Sequence, residues 1–237
     1  MGRRNFESKE QFGAYYEEVA KHYDHERSSD FEGRQVDRLQ REFVLRNLAV
    51  RRGQKVIECG CGTGRILLAL ARKGVSCSGI DTSKNMLTLL KKKARKEKLD
   101  ISVKQGDIEH IPFGDNIFDG VFSIHVLMHM QNIRTAVAEM YRIAKPGARI
   151  VFDLPSRDSP WTKLSMLLDP QKKRTLLYTR KQLMKELEGY DYRLTGIFSY
   201  ARTFYKIPVL RHLVAFLERF VPLPLYFRAA YMVVITK

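Results

Sequence analysis

This sequence predicts a doubly wound α/β fold built on a parallel sheet, and three observations carry the prediction. Apolar runs of strand character at 55–59, 75–81, 101–105, 118–124 and 148–153 alternate with helical patterns at 64–73, 83–98 and 133–144. The first run passes into a helix through glycines at positions 60, 62 and 64, with the carboxylate of Glu58 just before them. The second run ends in Asp81, at the point where a doubly wound fold carries a ribose-binding acid. Right-handed crossovers then place a ligand outside the carboxyl ends of the strands, where Gly60, Asp81, Asp107 and Ser123 converge.

Taken in chain order, the first two elements are helices. Between Lys9 and Asp24, Phe12, Tyr15 or Tyr16, Val19 and Tyr23 recur at helical spacing, and between Gly33 and Ala49 so do Val36, Leu39, Phe43, Val44 and Leu48. The first strand leads into Gly60-Cys61-Gly62-Thr63-Gly64-Arg65. Glycine lacks the Cβ that would hold a ligand off the main chain and tolerates positive φ where strand becomes helix, so a ligand can lie on bare peptide. A dinucleotide fingerprint, G-x-G-x-x-G, needs its third glycine one residue later. Arg65 holds that place, which argues against a nicotinamide-dependent oxidoreductase. Ser83 is placed to cap the helix that follows Asp81. The stretch from Ile101 to Ile108 alternates like a strand and ends through Gly106-Asp107. Past the fifth strand, 192–200 and 229–236 read as strands with 201–228 inserted between them. In that insertion Pro208 starts and Pro222 stops a helix. Leu210, Leu213, Val214, Leu217, Phe220 and Val221 fall on one face of it, and Arg211, His212, Glu218 and Arg219 on the other. The apolar face is expected to pack onto the sheet edge or the cap, the alternative being a membrane surface or an apolar substrate. The run from Val221 to Arg228 adds apolar side chains with no helix to bury them, which favours a hydrophobic or lipid-like acceptor.

The pattern Glu58-x-Gly60-x-Gly62-x-Gly64 resembles motif I of the class I S-adenosylmethionine-dependent methyltransferases, in which the turn supports the amino-acid part of a cofactor without phosphates. Further segments resemble the same family in the expected order: Gly79-Ile80-Asp81-Thr82-Ser83, Gln105-Gly106-Asp107-Ile108, Phe118 to Met130, and Met140 to Gly147. Tyr15 to Asp24 resembles its Tyr-x-x-x-Ala-x-x-Tyr-Asp segment. The resemblance covers roughly residues 10–155 and points to the methyltransferase type 11 group, which includes quinone-biosynthesis and other small-molecule methyltransferases. It implies a Rossmann-like three-layer α/β/α sandwich around a seven-stranded, mostly parallel sheet of order 3-2-1-4-5-7-6 with the last strand antiparallel. Residues 1–50 would supply helices covering the cofactor, 51–155 the binding core, and 156–237 the rest of the same domain with a substrate cap at 201–228. The implied cofactor is S-adenosyl-L-methionine, and the product S-adenosyl-L-homocysteine.

Carried onto this chain, the resemblance assigns Glu58 to the cofactor amine, directly or through water, and Gly60, Cys61, Gly62 and Gly64 to the turn beneath its amino-acid part. Asp81 takes the ribose hydroxyls, Thr82 lines the same pocket, and Met86 lies beside the adenine. Asp107 and the backbone of Ile108 meet the adenine, and Ser123 ends the fourth strand in the crevice. Tyr15 contributes from the N-terminal segment, and Arg41 binds the cofactor carboxylate, with Arg34 in the other helix register.

At 237 residues the chain fits one α/β domain with a cap. Its net charge is +16, and residues 157–237 hold 15 Lys and Arg against 6 Asp and Glu. A field of this sign draws in RNA, anionic lipid or an acidic metabolite, and it also describes a well-solvated basic surface. The cluster from Lys91 to Lys98 reads as the solvated back of a helix. Cys59, Cys61 and Cys77 lie on or beside buried strands and read as small core residues in a reducing cytoplasm, with no second pair at zinc spacing and no metal expected. The N-terminus lacks an apolar leader segment, and no run reaches the ~18 apolar residues of a membrane span. A soluble cytoplasmic protein is expected, with peripheral contact to an anionic membrane.

Methyl transfer from a sulfonium is an in-line displacement, in which alignment inside a dry pocket contributes up to roughly 7–11 kcal/mol. A hydroxyl acceptor would also need a base, and His125 and His129, which follow the fourth strand, are the candidates. An amine or an activated ring carbon needs no strong base. The expected function is methyl transfer to a small-molecule or lipid-like acceptor. Its alternatives are methylation of RNA or another macromolecule guided by the basic surface, and non-catalytic cofactor binding. Asp81→Ala and Gly60→Val are expected to abolish cofactor binding with the fold retained.

Overall fold

The computed structural model describes residues 9–130, 132–168, 177–197, 209–220 and 224–237. Among them β1 (Lys55–Cys59), β2 (Ser76–Asp81), β3 (Ile101–Gln105), β4 (Phe118–Ser123), β5 (Ala144–Pro155), β6 (Asp191–Ile197) and β7 (Ala230–Thr236) form one sheet. Its order is 3-2-1-4-5-7-6. The first five strands run parallel, and β7 lies antiparallel between β5 and β6. This is the Rossmann-like order expected from the sequence.

Strand parity builds the layers. Ile57 and Cys59 of β1 turn to one face, where Val121 and Phe152 join them under α5 (Ile133–Ile143) and α7 (Arg180–Glu186). Val56 turns to the other face with Phe122, Val151 and Met232, beneath α2 (Phe31–Leu48), α3 (Leu67–Ala71) and α4 (Lys84–Lys96). Each such fully buried side chain contributes roughly 1.5–3 kcal/mol, so a slip of one residue would expose both faces at once. Glu58 shares its parity with Val56 and is therefore drawn into the second layer, where a charge is out of place.

Local chemistry sets the element ends. Ser83 Oγ accepts the Met86 N–H at 3.1 Å and caps α4 as expected, while Asp30 caps α2 by accepting from Gly33 at 2.6 Å. A Cβ at Gly33 would stand 2.0 Å from the Arg27 carbonyl oxygen, so the corner between α1 (Lys9–Ser28) and α2 requires glycine. Two helices went unread in the sequence: α6 (Pro160–Leu168) and α7, although Thr179 and Gln182 form a capping box at the start of the latter. The fifth strand runs longer than 148–153, because a register shift between Phe118 and Gly120 lets Ala144 pair with β4.

One expectation is overturned. In α8 (Leu210–Phe220) the apolar side chains do not pack inward as a set: Leu213, Phe216 and Phe220 are exposed, while Val214 and Glu218 are buried. The reason is electrostatic as well as steric. Glu218 turns inward to Arg228 at 3.7 Å, and Arg228 also donates to the Gly196 carbonyl at 2.9 Å, which fixes the helix on that line. Residues 198–208 and 221–223, with Pro208, Val221 and Pro222 among them, and the side chains of Phe12 and Arg219 lie outside the described residues.

Candidate functional site

The three turn glycines all have positive φ, 76° at Gly60, 49° at Gly62 and 80° at Gly64, but they serve different ends. A Cβ at Gly60 would lie 2.2 Å from Val126 Cγ2, and one at Gly64 would lie 2.1 Å from Leu90 Cδ1. Those two glycines let the turn close on the loop after β4 and on α4. Among the described residues a Cβ at Gly62 meets nothing within 4 Å, so Gly62 alone of the three presents bare peptide to open space. This corrects one expectation, because Gly60→Val would disturb the packing itself and not merely a ligand. The turn is pinned to β2 by Gly60 and Cys61, whose N–H groups donate to the Ile80 carbonyl at 2.8 and 2.9 Å. The Asp81 carboxylate accepts from the Gly62 N–H at 2.7 Å and from the Ser83 N–H at 2.9 Å. Burial pushes the Asp81 carboxyl up, and those two hydrogen bonds pull it back.

Glu58 is buried, and among the described residues its Oε2 has no hydrogen-bond partner. Burial raises its carboxyl from the ordinary 4.5 to about 8, against the opposing pull of Arg65 and of a hydrogen bond from the Leu67 backbone. A buried acceptor left unpaired costs about 1–3 kcal/mol, more when charged, so it needs a reason. An unpaired carboxyl oxygen in the strand that feeds an open glycine fits a cofactor bringing a cationic amine and no phosphate.

Helix α1 crosses this turn. Asp24 accepts from Thr63 Oγ1 at 2.6 Å and pairs with Lys93, which also donates to the Thr63 carbonyl at 3.2 Å. Nearer the amino end of the helix Glu17 accepts from Ser83 Oγ and, at 3.0 Å, from the Asn85 N–H, which ties α1 to the amino end of α4. Beside these ties the aromatics gather: Tyr16 packs edge-on to Tyr15 (5.2 Å), Tyr23 (5.9 Å) and His129 (6.2 Å). Burial pushes the Tyr16 hydroxyl well up. His129 closes a 3-10 turn, Leu127–His129, directly after β4.

A polar chain that sequence reasoning missed runs behind this wall. Arg27 donates to Gln40 Oε1 at 3.1 Å, and Gln40 Nε2 donates to Asp153 Oδ2 at 2.8 Å. Asp153 Oδ1 accepts the His125 N–H at 2.7 Å, and His125 Nε2 stands 3.7 Å from Oδ2. His125 holds φ at 64°, a strained value for a residue with a Cβ, with its N–H bonded to Asp153. Burial raises the Asp153 carboxyl to about 6, opposed by the His125 N–H and the charges of Arg27 and Arg65. Arg27 is itself pushed down by burial, and its Nε is buried with no partner among the described residues. Gln40 and Asp153 are 113 residues apart, so no local pattern could have announced the contact.

The remaining expected residues fall as follows. Thr82 is exposed, its carbonyl accepting from Gln105 Nε2 at 2.9 Å, and Met86 is buried. Asp107 accepts the Glu109 N–H at 3.0 Å in a turn after β3, and the Ile108 side chain enters the core. Cys61 packs on Gly79, where an added Cβ would meet its Sγ at 2.8 Å. Ser123 is buried and donates to the Cys59 carbonyl at 2.7 Å, tying β4 to β1. Arg41 pairs with Asp37 at 3.3 Å, and Asp37 also pairs with Arg65, so Arg41 is linked to the turn through a carboxylate. Arg34 donates to the Ser28 and Ser29 carbonyls, each at 3.0 Å, and closes the corner between α1 and α2. All three cysteines are buried, and burial raises each thiol, Cys77 to about 12, so none is a reactive thiolate.

Residues 57–152 match the family model described as Methyltransferase domain. A demethylmenaquinone methyltransferase of Beutenbergia cavernae is 30% identical over 183 residues, which cover 75% of this chain and 71% of that protein. Another, from a Geobacillus species, is 34% identical over 141 residues, covering 57% and 59%. The chain spans between 40% and 61% of the length of four other curated relatives, that one included. The fold matches that of the cyclase SpnF with a TM-score of 0.70 at 17% identity, covering all of this chain and 98% of that one. With the sheet order and the glycine turn in place, these matches show that the chain belongs to the class I S-adenosylmethionine-dependent methyltransferases.

Proposed function

We propose that this chain transfers the methyl group of S-adenosylmethionine to a small, largely apolar acceptor. The observation that carries the reading is the pairing, at one end of the sheet, of an unpartnered buried carboxyl oxygen on Glu58 with the open peptide at Gly62. When bound, the cofactor supplies a sulfonium methyl that a nucleophile displaces in line. Glu58 takes the amine, and the peptide at Gly62 supports the amino-acid part. The Asp81 carboxylate accepts from the Gly62 and Ser83 N–H groups, and a carboxylate has about four lone-pair sites, so it can also accept from a ribose hydroxyl. Asp107 and the Ile108 N–H flank the adenine. The unpartnered Arg27 Nε is a better placed donor for the cofactor carboxylate than Arg41, which is held by Asp37.

On the acceptor side Tyr15, Tyr16, Tyr23 and His129 make a wall that excludes water and suits a flat apolar ring. Curated relatives named demethylmenaquinone methyltransferase support a quinone-like acceptor. For a hydroxyl nucleophile, His129 or His125 takes the proton. Calorimetric titration with S-adenosylmethionine, followed by transfer of labelled methyl into fractionated lipid, soluble metabolite and RNA pools, tests the proposal. Saturable binding and label in the lipid or metabolite pool are expected. Label in RNA, or no binding at all, would overturn it.

A further inference from the structure

Helix α8 carries its apolar stripe on the outside of the molecule. Val209, Leu213, Phe216 and Phe220 follow one line of the helix and are 85%, 53%, 56% and 59% exposed. The Phe216 and Phe220 rings lie 4.7 Å apart, so the stripe is continuous. Inward from it, Val214 is buried and Glu218 meets Arg228, which places the helix's one acid away from the outer surface. More apolar surface continues nearby. α6 exposes Leu164 and Leu167, and Tyr226 is exposed beneath Lys163, whose Nζ lies 5.3 Å from the ring centre. α6 follows the carboxyl end of β5, while α8 and Tyr226 precede the amino end of the antiparallel β7. All of them therefore stand at the end of the sheet that holds the glycine turn and the aromatic wall.

We infer that this face docks on an anionic lipid bilayer, with the α8 stripe entering the headgroup region and Arg211 and Lys163 meeting anionic headgroups. Charge chooses the occupant. The chain carries a net charge of +16, so a second copy seated on the same face would meet a molecule of like charge, whereas an anionic bilayer complements both the stripe and the cations beside it, Arg211 on α8 and Lys163 over Tyr226. RNA would match the charge and leave the leucine and phenylalanine side chains unmatched. Docking in this pose turns the mouth of the proposed methyl-transfer site toward the lipid phase, where an apolar acceptor resides. The inference deepens that reading and rests on it only for this last consequence.

The test uses the full chain with vesicles of phosphatidylcholine, either alone or with about one third phosphatidylglycerol. Co-sedimentation with the anionic vesicles is expected, released as salt is raised, with much weaker binding to the neutral ones. The double variant Phe216→Ser/Phe220→Ser is expected to bind anionic vesicles at least about tenfold more weakly, with an unchanged thermal midpoint because both side chains are already exposed. Leu213→Asp, on the same line, gives the same result if the double variant fails to fold. Equal binding by the folded variants, no binding by the wild type, or a concentration-dependent dimer that these substitutions dissolve would overturn the inference. S-adenosylmethionine titration of the same samples separates the two readings: unchanged cofactor affinity in a chain that ignores vesicles sinks the docking surface alone.

Discussion

At the residue scale, Glu58 couples folding, protonation and the proposed cofactor. Its carboxyl is raised from 4.5 to about 8 in the folded chain, so between those pH values the folded state holds a proton that the unfolded state has released. Stability therefore falls as pH rises through that window, by an amount on the order of a few kcal/mol. Glu58→Gln should flatten this slope and raise the thermal midpoint at alkaline pH, while weakening S-adenosylmethionine binding by about 10- to 100-fold through loss of a charged partner. A sharper reading comes from proton release. At neutral pH the wild type must ionise Glu58 to pair with the amine, so calorimetry in two buffers of unlike ionisation enthalpy should detect released protons, and the variant should release none. Equal release from both would remove Glu58 from that role. The glycines separate in the same way. Gly60→Ala meets both a left-handed backbone and Val126 and should cost about 2–4 kcal/mol in chemical denaturation. Gly62→Ala meets open space, should cost about 1–2 kcal/mol, and should show its larger effect in cofactor affinity.

At the scale of elements, the ties of α1 to the turn and to α4 can be tested one at a time. Glu17 receives the Ser83 hydroxyl and the Asn85 N–H at the amino end of α4, and Asp24 receives Thr63 and Lys93. Glu17→Ala removes a carboxylate from a helix start, an effect of about 1–2 kcal/mol. The expected outcome is faster amide exchange confined to residues 9–28 with the sheet still protected, accompanied by weaker cofactor binding. Uniform loss of protection would instead make α1 part of the global fold. The elements also show what a sequence discloses. β1 and β3 begin and end where periodicity put them, because alternation and glycine punctuation are local signals. The orientation of α8 was not legible, since amphipathy reveals two faces without saying which one Arg228 will pull inward. The Arg27–Gln40–Asp153–His125 chain was hidden for a related reason: it is assembled from α1, α2 and the ends of two strands, and no member carries a local mark. What the turn motif announced was the cofactor side of the crevice. Of the wall proposed for the acceptor, Tyr16 and Tyr23 repeat at helical spacing and were legible, whereas their meeting with His129, a contact from α1 to the loop after β4, carried no local signal.

At the scale of the whole molecule, two consequences of the positive charge have opposite signs in salt. A net charge of +16 repels itself, and compaction brings the charges closer, so the folded state carries more of that repulsion than the unfolded chain. Screening should relieve it as the Debye length shrinks from about 30 Å near 0.01 M salt to about 8 Å near 0.15 M. Exposed pairs such as Arg72 with Glu97 work the other way, but surface ion pairs contribute about 0–1 kcal/mol each and many contribute nothing measurable. With 42 basic side chains against 26 acidic ones, repulsion should dominate. Adding salt should thus raise the thermal midpoint by a few degrees, at roughly 2–4 °C for each kcal/mol relieved. The same screening should weaken association with an anionic surface, since that attraction draws on the unpaired excess. Scanning calorimetry and vesicle co-sedimentation, run on one preparation across the same salt series, should therefore move in opposite directions. A midpoint that falls with salt would mean that local ion pairs outweigh the net field, and the basic surface would then be a framework of pairs in place of an unpaired attractor.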